Sequence, residues 1–171
     1  MNKHSWITLI AIIIIVISMT YSGLNIAGTY QLEYRWGDIG RFNYFNMSND
    51  GKMEFCNTMP FWMSFQNFEI ETFYQSEYVG SYIVQPVNIN PFSSIIEKGN
   101  FITEERTYAQ YVFMTFDLIF DGGPMRLDPN QFTILVNINT PILGIIPHST
   151  TTQISGFEFD QIMNSEDLSC N

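Results

Sequence analysis

The histidine of the expected exported part stands directly beside a serine, a pair that nucleophilic catalysis can use. His148 and Ser149 are the residue types of a base and a nucleophile. Neighbouring residues of an extended strand point to opposite faces, however, so the two side chains are not expected to meet. A turn at Pro147 explains the histidine better.

Two pairs of acidic residues could supply the paired carboxylates of a glycoside hydrolase. Glu69 and Glu71 lie two positions apart, on one face of a predicted strand, and Glu104 is adjacent to Glu105. Glu69 and Glu71 alternate with apolar residues, as residues on the solvated face of a half-buried strand do. The pattern favours this structural interpretation, and we expect no enzymatic activity.

Oxygen ligands for a metal ion surround one glycine-rich turn. Asp121 and Asp128 flank this turn, and calcium accepts carboxylate and backbone oxygens. The spacing is not that of an EF-hand loop, and Arg126 lies between the two acids. An Asp-Gly turn and an Asp-Pro turn explain the residues without calcium, so no metal or other cofactor is expected.

The chain has two cysteines, Cys56 and Cys170. In an exported protein thiols tend to pair, and a disulfide between these two would close a loop of about 115 residues. The alternative is two free thiols in a reducing compartment. A zinc site is not expected, because zinc takes four ligands and the exported part adds only His148.

The tripeptide Asn46-Met47-Ser48 has the sequence of an acceptor for an N-linked glycan in an exported chain. It precedes Asp50-Gly51, a dipeptide typical of tight turns. We therefore name Asn46 as a candidate glycan acceptor.

The balance of charge excludes one class of partner. The chain carries 17 acidic and 7 basic residues, a formal net charge of −10. Its sequence has no cluster of basic residues with interleaved aromatic residues, and an acidic surface repels the phosphates of nucleic acids. Nucleic-acid binding is therefore excluded.

An apolar run, Trp6–Met19, follows the short basic N-terminus and allows two interpretations. As a helix that continues to Ala27, the segment is about 33 Å long and crosses about 30 Å of hydrocarbon as a retained anchor. As a secretory signal, it is cleaved after Ser22 and releases a secreted ligand-binding domain. A buried core helix fits a run this rich in isoleucine less well.

Positive charge sets the expected orientation of this segment. Lys3 and His4 precede the apolar run, so the positive-inside rule keeps the N-terminus in the cytoplasm and places residues 28–171 outside. No second apolar run approaches the length of a membrane span. The sequence predicts a single-pass membrane protein with an extracytoplasmic domain, or a secreted one.

From Thr29 onward the hydrophobic pattern has a period of two, which is typical of strands. About eight short strands are predicted, and the segments between them are too short for helical crossovers. The sequence therefore predicts an all-β domain, an antiparallel β-sandwich (immunoglobulin-like or similar) or a small barrel. The expected division is an anchor or signal peptide at 1–27, the β-sandwich at 28–160 and an acidic polar tail at 161–171.

Local patterns also assign individual segments. Arg41–Met47 is predicted as a strand, Asn88–Asn100 as a loop in which Ser93–Lys98 can form one helical turn, and Thr151–Phe159 as the last strand. A short helix is expected over Asp160–Asn164. The longest predicted strand is Tyr108–Phe120.

The Tyr108–Phe120 segment is apolar on both faces of the predicted strand. One face, from Val112 to Leu118, suits the core, which leaves Tyr111 and Phe113 on the outer face. Aromatic residues exposed together are typical of the centre of an interface. Tyr111 and Phe113 are therefore candidate contacts with a protein partner or a second copy of the chain.

Residues 40–157 resemble one known family. The segments that carry the resemblance are, in order, Asn46–Asn49, Cys56 with Pro60, Phe68–Ile70, Tyr78–Ile83, Phe132–Val136, Ile145–Pro147 and Ile154–Gly156. In this order they are similar to the strands of the water-stress and hypersensitive-response (WHy) domain of group-2 late embryogenesis abundant proteins. The resemblance implies an antiparallel β-sandwich without catalytic residues, in several members attached to a membrane by one N-terminal helix. It implies a protective, binding or structural role.

Overall fold

The computed structural model describes residues 3–165 and 168–170 of the chain. The helices among these residues are α1 Lys3–Thr29, α2 Tyr44–Met47, α3 Arg106–Phe120 and α4 Gly156–Met163. The strands are β1 Glu33–Trp36, β2 Lys52–Asn57, β3 Met63–Phe65, β4 Asn67–Tyr74, β5 Glu77–Val84, β6 Val87–Ile89, β7 Ser93–Ile102, β8 Phe132–Asn139 and β9 Ser149–Ser155. A 3₁₀ turn, Pro129–Gln131, leads into β8.

The strands pair in antiparallel fashion throughout the described residues. Seven of them form one curled sheet in the order β1-β2-β7-β5-β4-β8-β9, and β3 pairs with β6 in a small second sheet. Alternate side chains of β4 and β8 are buried, so this sheet has one inner face. The predicted class, an antiparallel β fold preceded by one apolar helix, is confirmed.

The prediction for Tyr108–Phe120 is wrong, because this segment lies in helix α3. Val112 and Phe113 are both buried, although neighbours on a strand would face opposite sides. With Ala109 and Phe116 they form the i, i+3, i+4, i+7 pattern of one helix face. The segment is a nearly continuous apolar run, and such a run does not by itself distinguish a buried strand from a helix.

Two other segments have a secondary structure different from the one predicted. Arg41–Met47 is a loop followed by the single turn of α2, whose N-cap is Asn43, so the predicted strand is wrong. Asn88–Asn100, predicted as a loop, holds most of β7, which is extended because it pairs with β2 on one side and β5 on the other. Neither partner is adjacent in sequence, so the local pattern did not reveal the pairing.

The last strand ends earlier than predicted. β9 stops at Ser155, whose hydroxyl accepts a hydrogen bond from the backbone N–H of Glu158 at 3.2 Å. A serine in this position caps a helix, and α4 follows directly. The predicted short helix therefore exists but begins at Gly156, four residues before the expected Asp160.

An aromatic cluster closes the core at the end of the domain where α2, α3 and α4 meet the sheet. Tyr44 lies at its centre and is fully buried. The rings whose centroids lie 5.0–5.9 Å from that of Tyr44 are Phe42, Phe113, Phe116, Phe132 and Phe159. The Tyr44 hydroxyl donates to the carbonyl oxygen of Gly156 at 2.6 Å, which satisfies its polar group inside the cluster.

The two cysteines form a disulfide, Cys56–Cys170, across a sequence separation of 114 residues. Cys56 is fully buried on β2, between Glu33 of β1 and Ser94 of β7. The bond therefore attaches the C-terminal segment to an inner strand of the main sheet.

Candidate membrane-facing site

Helix α1 projects from the domain as an apolar rod. Among the described residues it is the one helix long and apolar enough to span a membrane, over His4–Thr29, with a mean hydropathy of 2.3 in its 18-residue window. Only 6% of that window is buried, so this is not a core helix of a water-soluble fold. A membrane anchor and a signal sequence share these properties.

The last two turns of α1 are built into the β domain. Ser22, Asn25, Gly28 and Thr29 are buried, and they follow one another at the spacing of one helix face. At Gly28 an added Cβ would come within 3.1 Å of Met63 Sδ, so α1 packs closely on β3 here and a larger residue would require Met63 to shift. The helix and the domain are therefore joined by tertiary contacts as well as by the chain.

Asn25 supplies the most specific of these contacts. Its Nδ2 donates to the carbonyl oxygen of Ser64 at 2.9 Å, and its Oδ1 accepts from the backbone N–H of Ser64 at 2.8 Å. Asn25 thus pairs with β3 as a neighbouring strand would. A buried asparagine in an apolar helix has its polar groups satisfied in this way.

The β8–β9 hairpin extends beyond its last ladder pair toward α1. The Thr140 N–H donates to His148 O at 2.8 Å, and Ile142 pairs with Ile146 in an isolated bridge. We call residues 141–147 the hairpin tip. Its side chains Leu143, Ile145 and Ile146 are 43%, 84% and 54% exposed.

The hairpin tip contacts α1 directly. The Leu143 N–H donates to the Ser22 hydroxyl oxygen at 3.0 Å. A groove of about 620 Å³ lies between helix and tip, lined mainly by apolar side chains, among them Ile14, Ile17 and Leu143. The tip therefore lies beside the apolar part of the helix.

Two exposed aromatic residues flank the junction of helix and domain. Tyr30 follows the last residue of α1 and is 71% exposed, and Trp62 is 60% exposed beside Phe61, whose ring contacts the Gly28 position. Tyrosine and tryptophan are enriched where a membrane protein meets the lipid–water interface. Exposed aromatic residues therefore lie beside the junction of α1 and the domain.

The two aromatic residues predicted as an interface pair are separated by the fold. Tyr111 is 55% exposed on α3, but Phe113 is fully buried in the aromatic cluster, so its assignment to an outer face is wrong. Met114 and Leu118 are exposed with Tyr111, at helical spacing. The exposed apolar surface of this segment is therefore the stripe Tyr111, Met114 and Leu118, which we call the α3 stripe.

The candidate glycan acceptor lies on the surface. Asn46 is exposed in α2, whereas Ser48, the third residue of the acceptor tripeptide, is buried and donates its hydroxyl to Phe45 O at 2.7 Å. The fold therefore leaves the asparagine accessible. Its glycosylation stays a prediction.

The two predicted carboxylate pairs lie on different elements of the fold. Glu69 and Glu71 are half-buried on β4, on the face opposite its buried side chains. Glu104 and Glu105 are exposed just before α3, where negative charge favours the start of a helix. Glu104 and Glu105 both line one cavity of about 270 Å³, which Glu77 also lines, and Glu69 and Glu71 are not among its lining residues.

The residues considered for nucleophilic catalysis and for calcium binding do not form a cluster of metal ligands in the described residues. His148 has a buried Nε2 without a hydrogen-bond partner within the described part of the chain, and Ser149 begins β9. Asp128 uses both carboxylate oxygens to cap the 3₁₀ turn, bonding Asn130 N and Gln131 Nε2. Within residues 3–165 and 168–170, no three His, Cys, Asp or Glu side chains gather as metal ligands.

A cavity with charged side chains in its wall, which sequence reasoning missed, lies between the loop before α2 and helices α3 and α4. Its volume is about 390 Å³, and Arg41, Asp117 and Asp160 contribute to its wall. Arg41 forms an ion pair with Asp160 at 3.4 Å. Asp117 accepts hydrogen bonds from the N–H groups of Tyr44 and Phe45, both at 2.9 Å.

Asp117 caps the first turn of α2, so its carboxylate is not free to act as a base. Burial raises the pKa of Asp117 to about 6. The two backbone hydrogen bonds act against this increase, and the negative charges of Asp160 and Asp121 add to it. Because α2 and α3 are distant in sequence, no local signal predicts this contact. The cavity is explained by the packing of the helices.

Comparisons with known proteins add no family to this description. No protein-family model matches the chain, and no curated protein matches its sequence. The resemblance to the WHy domain therefore stays a prediction.

Proposed function

We propose that the protein is a single-pass membrane protein whose β domain is held rigidly against the outer membrane surface and acts there in binding or as a structural component, without catalysis. The observation that carries this proposal is the docking of the last two turns of α1 on the domain. A signal peptide is removed and needs no contact with the mature fold. Here Ser22 and Asn25 both bond backbone groups of the domain.

Cleavage after Ser22 would conflict with these contacts. It would remove the hydroxyl that accepts from Leu143 and would leave Asn25 in a short, newly frayed helix end. A retained helix keeps both interactions. The uncleaved form is therefore the one that the fold favours.

The orientation with the domain outside rests on two independent features. Lys3 and His4 precede the apolar run, which favours a cytoplasmic N-terminus. The Cys56–Cys170 disulfide is expected in an oxidising compartment and not in the cytoplasm.

The α3 stripe is the candidate surface for a protein partner or a second copy. Tyr111, Met114 and Leu118 are 55%, 53% and 43% exposed, and large exposed apolar residues in a row are typical of association surfaces. This replaces the Tyr111–Phe113 pair with residues that share one face of α3.

The retained anchor is tested on the membrane fraction of cells that produce the full chain. We expect the protein to resist alkaline carbonate extraction and to begin at Met1 on N-terminal sequencing. A soluble protein that begins at Gly23 would contradict the proposal and support the secreted alternative.

The orientation is tested with a membrane-impermeant maleimide on intact cells. Ile39→Cys introduces a thiol at a fully exposed position after β1, at the end of that strand away from α1. We expect labelling of this variant in intact cells, whereas the matched variant Asn2→Cys should react only after lysis. The reverse pattern would place the domain in the cytoplasm.

A further inference from the structure

The hairpin tip, residues 141–147, is an exposed apolar segment outside α1. It contains no charged or strongly polar side chain, and the chain has no Asp, Glu, Lys or Arg between Asp128 and Glu158. In a protein with a net charge of −10, this uncharged stretch is unusual. Its exposed residues Leu143, Ile145 and Ile146 would be costly in water.

We propose that the hairpin tip inserts into the outer leaflet of the membrane beside α1, so that the domain contacts lipid through two elements. This inference rests on the proposed function, because α1 must be a membrane span for lipid to surround the tip. The occupant of the tip's apolar surface is then the lipid itself.

The position of Ser22 along α1 puts the tip at the depth of the hydrocarbon. If Trp6 marks the cytoplasmic interface, Ser22 lies about 24 Å farther along the helix, short of the roughly 30 Å that the hydrocarbon spans. Leu143 is hydrogen-bonded to Ser22 and therefore lies at this level. The neighbouring exposed side chains of the tip lie at or just inside the outer boundary.

The backbone of the tip is prepared for a medium without water, where unpaired polar groups are costly. Pro141 and Pro147 have no N–H group. The N–H groups that donate within the tip or to α1 are those of Ile142, Leu143, Ile145 and Ile146. Four of the five N–H groups in the tip therefore have an acceptor.

The turn itself places an apolar side chain where its backbone conformation is unfavourable. Leu143 has a φ of 54°, a left-handed conformation that glycine or asparagine adopts more easily. The following Gly144, with a φ of 71°, is the residue type expected in such a turn. A leucine at the first position keeps an apolar side chain at the end of the tip.

The proposal is tested by measuring the depth of single labelled positions in the full-length protein, reconstituted into phosphatidylcholine vesicles. An environment-sensitive NBD fluorophore is attached to Ile145→Cys, Val16→Cys or Ile39→Cys, with the native disulfide left intact. Vesicles then receive lipids that carry a spin-label quencher at a shallow or a deep position of the acyl chain.

We expect the Ile145→Cys label to emit at shorter wavelength than the Ile39→Cys label and to be quenched most by the shallow probe. The Val16→Cys label, at the centre of α1, should be quenched most by the deep probe. An Ile145→Cys label that behaves like the Ile39→Cys label, with Val16→Cys still quenched, would overturn the tip insertion and leave the anchor intact. Absence of quenching at Val16→Cys would overturn the proposed anchor and the tip insertion with it.

A second experiment, on unlabelled protein, tests whether the tip inserts without the attached fluorophore. In unlabelled protein, Ile145→Ser with Ile146→Ser keeps the backbone pairing but removes the apolar side chains. Amide hydrogen exchange in vesicles should show faster exchange of the tip amides in this variant than in the wild type, with unchanged protection of β8. Equal exchange in both proteins would contradict lipid burial of the tip.

Discussion

Asn25 on α1 and Ser64 on β3 form a reciprocal pair of hydrogen bonds, in which the side chain of one residue pairs with the backbone of the other. Nδ2 donates to Ser64 O at 2.9 Å and Oδ1 accepts from Ser64 N at 2.8 Å. Asn25 is 5% exposed, so water does not compete for these groups. The pair makes the apolar helix part of the β domain and fixes the direction in which the helix leaves it.

Removal of the Asn25 amide should loosen this junction. Asn25→Ala leaves the N–H and C=O of Ser64 without their partners, at a cost of about 1–3 kcal/mol for each buried group that stays unpaired. We expect faster hydrogen exchange of the Ser64 amide in detergent-solubilised protein. The matched variant Leu24→Ala, on the exposed face of the same turn, should leave that amide protected. Equal protection in Asn25→Ala and wild type would contradict the role of this pair.

The disulfide should dominate the stability of the C-terminal segment. With a separation of 114 residues, the chain-entropy model assigns the Cys56–Cys170 crosslink on the order of 4–5 kcal/mol. Cys56→Ser with Cys170→Ser should therefore lower the melting temperature measured by circular dichroism, and wild type in reductant should melt like the double variant. Two thiols that alkylate freely in native, unreduced protein would contradict the crosslink.

Truncation of Phe113 should lower the stability of the fold far more than truncation of Tyr111. The Phe113 ring is fully buried against Tyr44, Phe101 and Phe132, so Phe113→Ala should cost about 3–5 kcal/mol of unfolding free energy. Tyr111→Ala, on the exposed stripe, should change it by less than about 1 kcal/mol.

Urea titration followed by tryptophan fluorescence gives both values. The same Tyr111→Ala protein, compared with wild type by size-exclusion chromatography in mild detergent, shows whether the α3 stripe mediates association. A marked destabilisation by Tyr111→Ala would mean that its ring is part of the core.

Asp117 should make stability fall as pH rises. Burial raises its pKa to about 6 from an ordinary value of 3.8, so the folded protein binds this proton more tightly than the unfolded chain. The stabilisation from this bound proton is full below about pH 4 and is lost as the pH rises past about 6. The loss is at most about 3 kcal/mol of unfolding free energy. Asp160, whose pKa burial also raises, changes stability in the same direction.

This prediction is checked by the unfolding free energy measured between pH 4 and pH 7 for wild type, Asp117→Asn and Glu104→Gln. We expect a weaker decline with pH in Asp117→Asn than in wild type. Glu104 is exposed, so its substitution should leave the pH dependence unchanged. Identical slopes for wild type and Asp117→Asn would refute the buried, titrating carboxylate.

The amino-acid sequence is sufficient to predict the features that depend on local pattern. The period-two runs in β4 and β8 identify strands, and the continuous apolar run identifies α1, because both signals lie within one element. The two cysteines, expected to pair, are brought together in the structure.

Helix α3 shows where local pattern is insufficient. Tyr108–Phe120 is rich in aromatic and β-branched residues, which favour a strand, and its apolar run is nearly continuous, so periodicity does not separate strand from helix. The choice is decided by the core, since a helix buries both Val112 and Phe113, the latter against Tyr44, and a strand would expose one of them. Tertiary packing therefore overrides local propensity here.

The candidate site depends almost entirely on tertiary structure. Ser22 and Asn25 are polar residues near the end of an apolar run, where the sequence is also compatible with a cleavage site. Their partners, Leu143 and Ser64, lie 121 and 39 residues away in the chain. Local sequence pattern identifies the apolar helix and the apolar hairpin tip, but only as two separate segments. Only the fold brings them side by side, because the buried hydrogen-bonding groups of the helix end are satisfied by backbone groups of distant strands and turns.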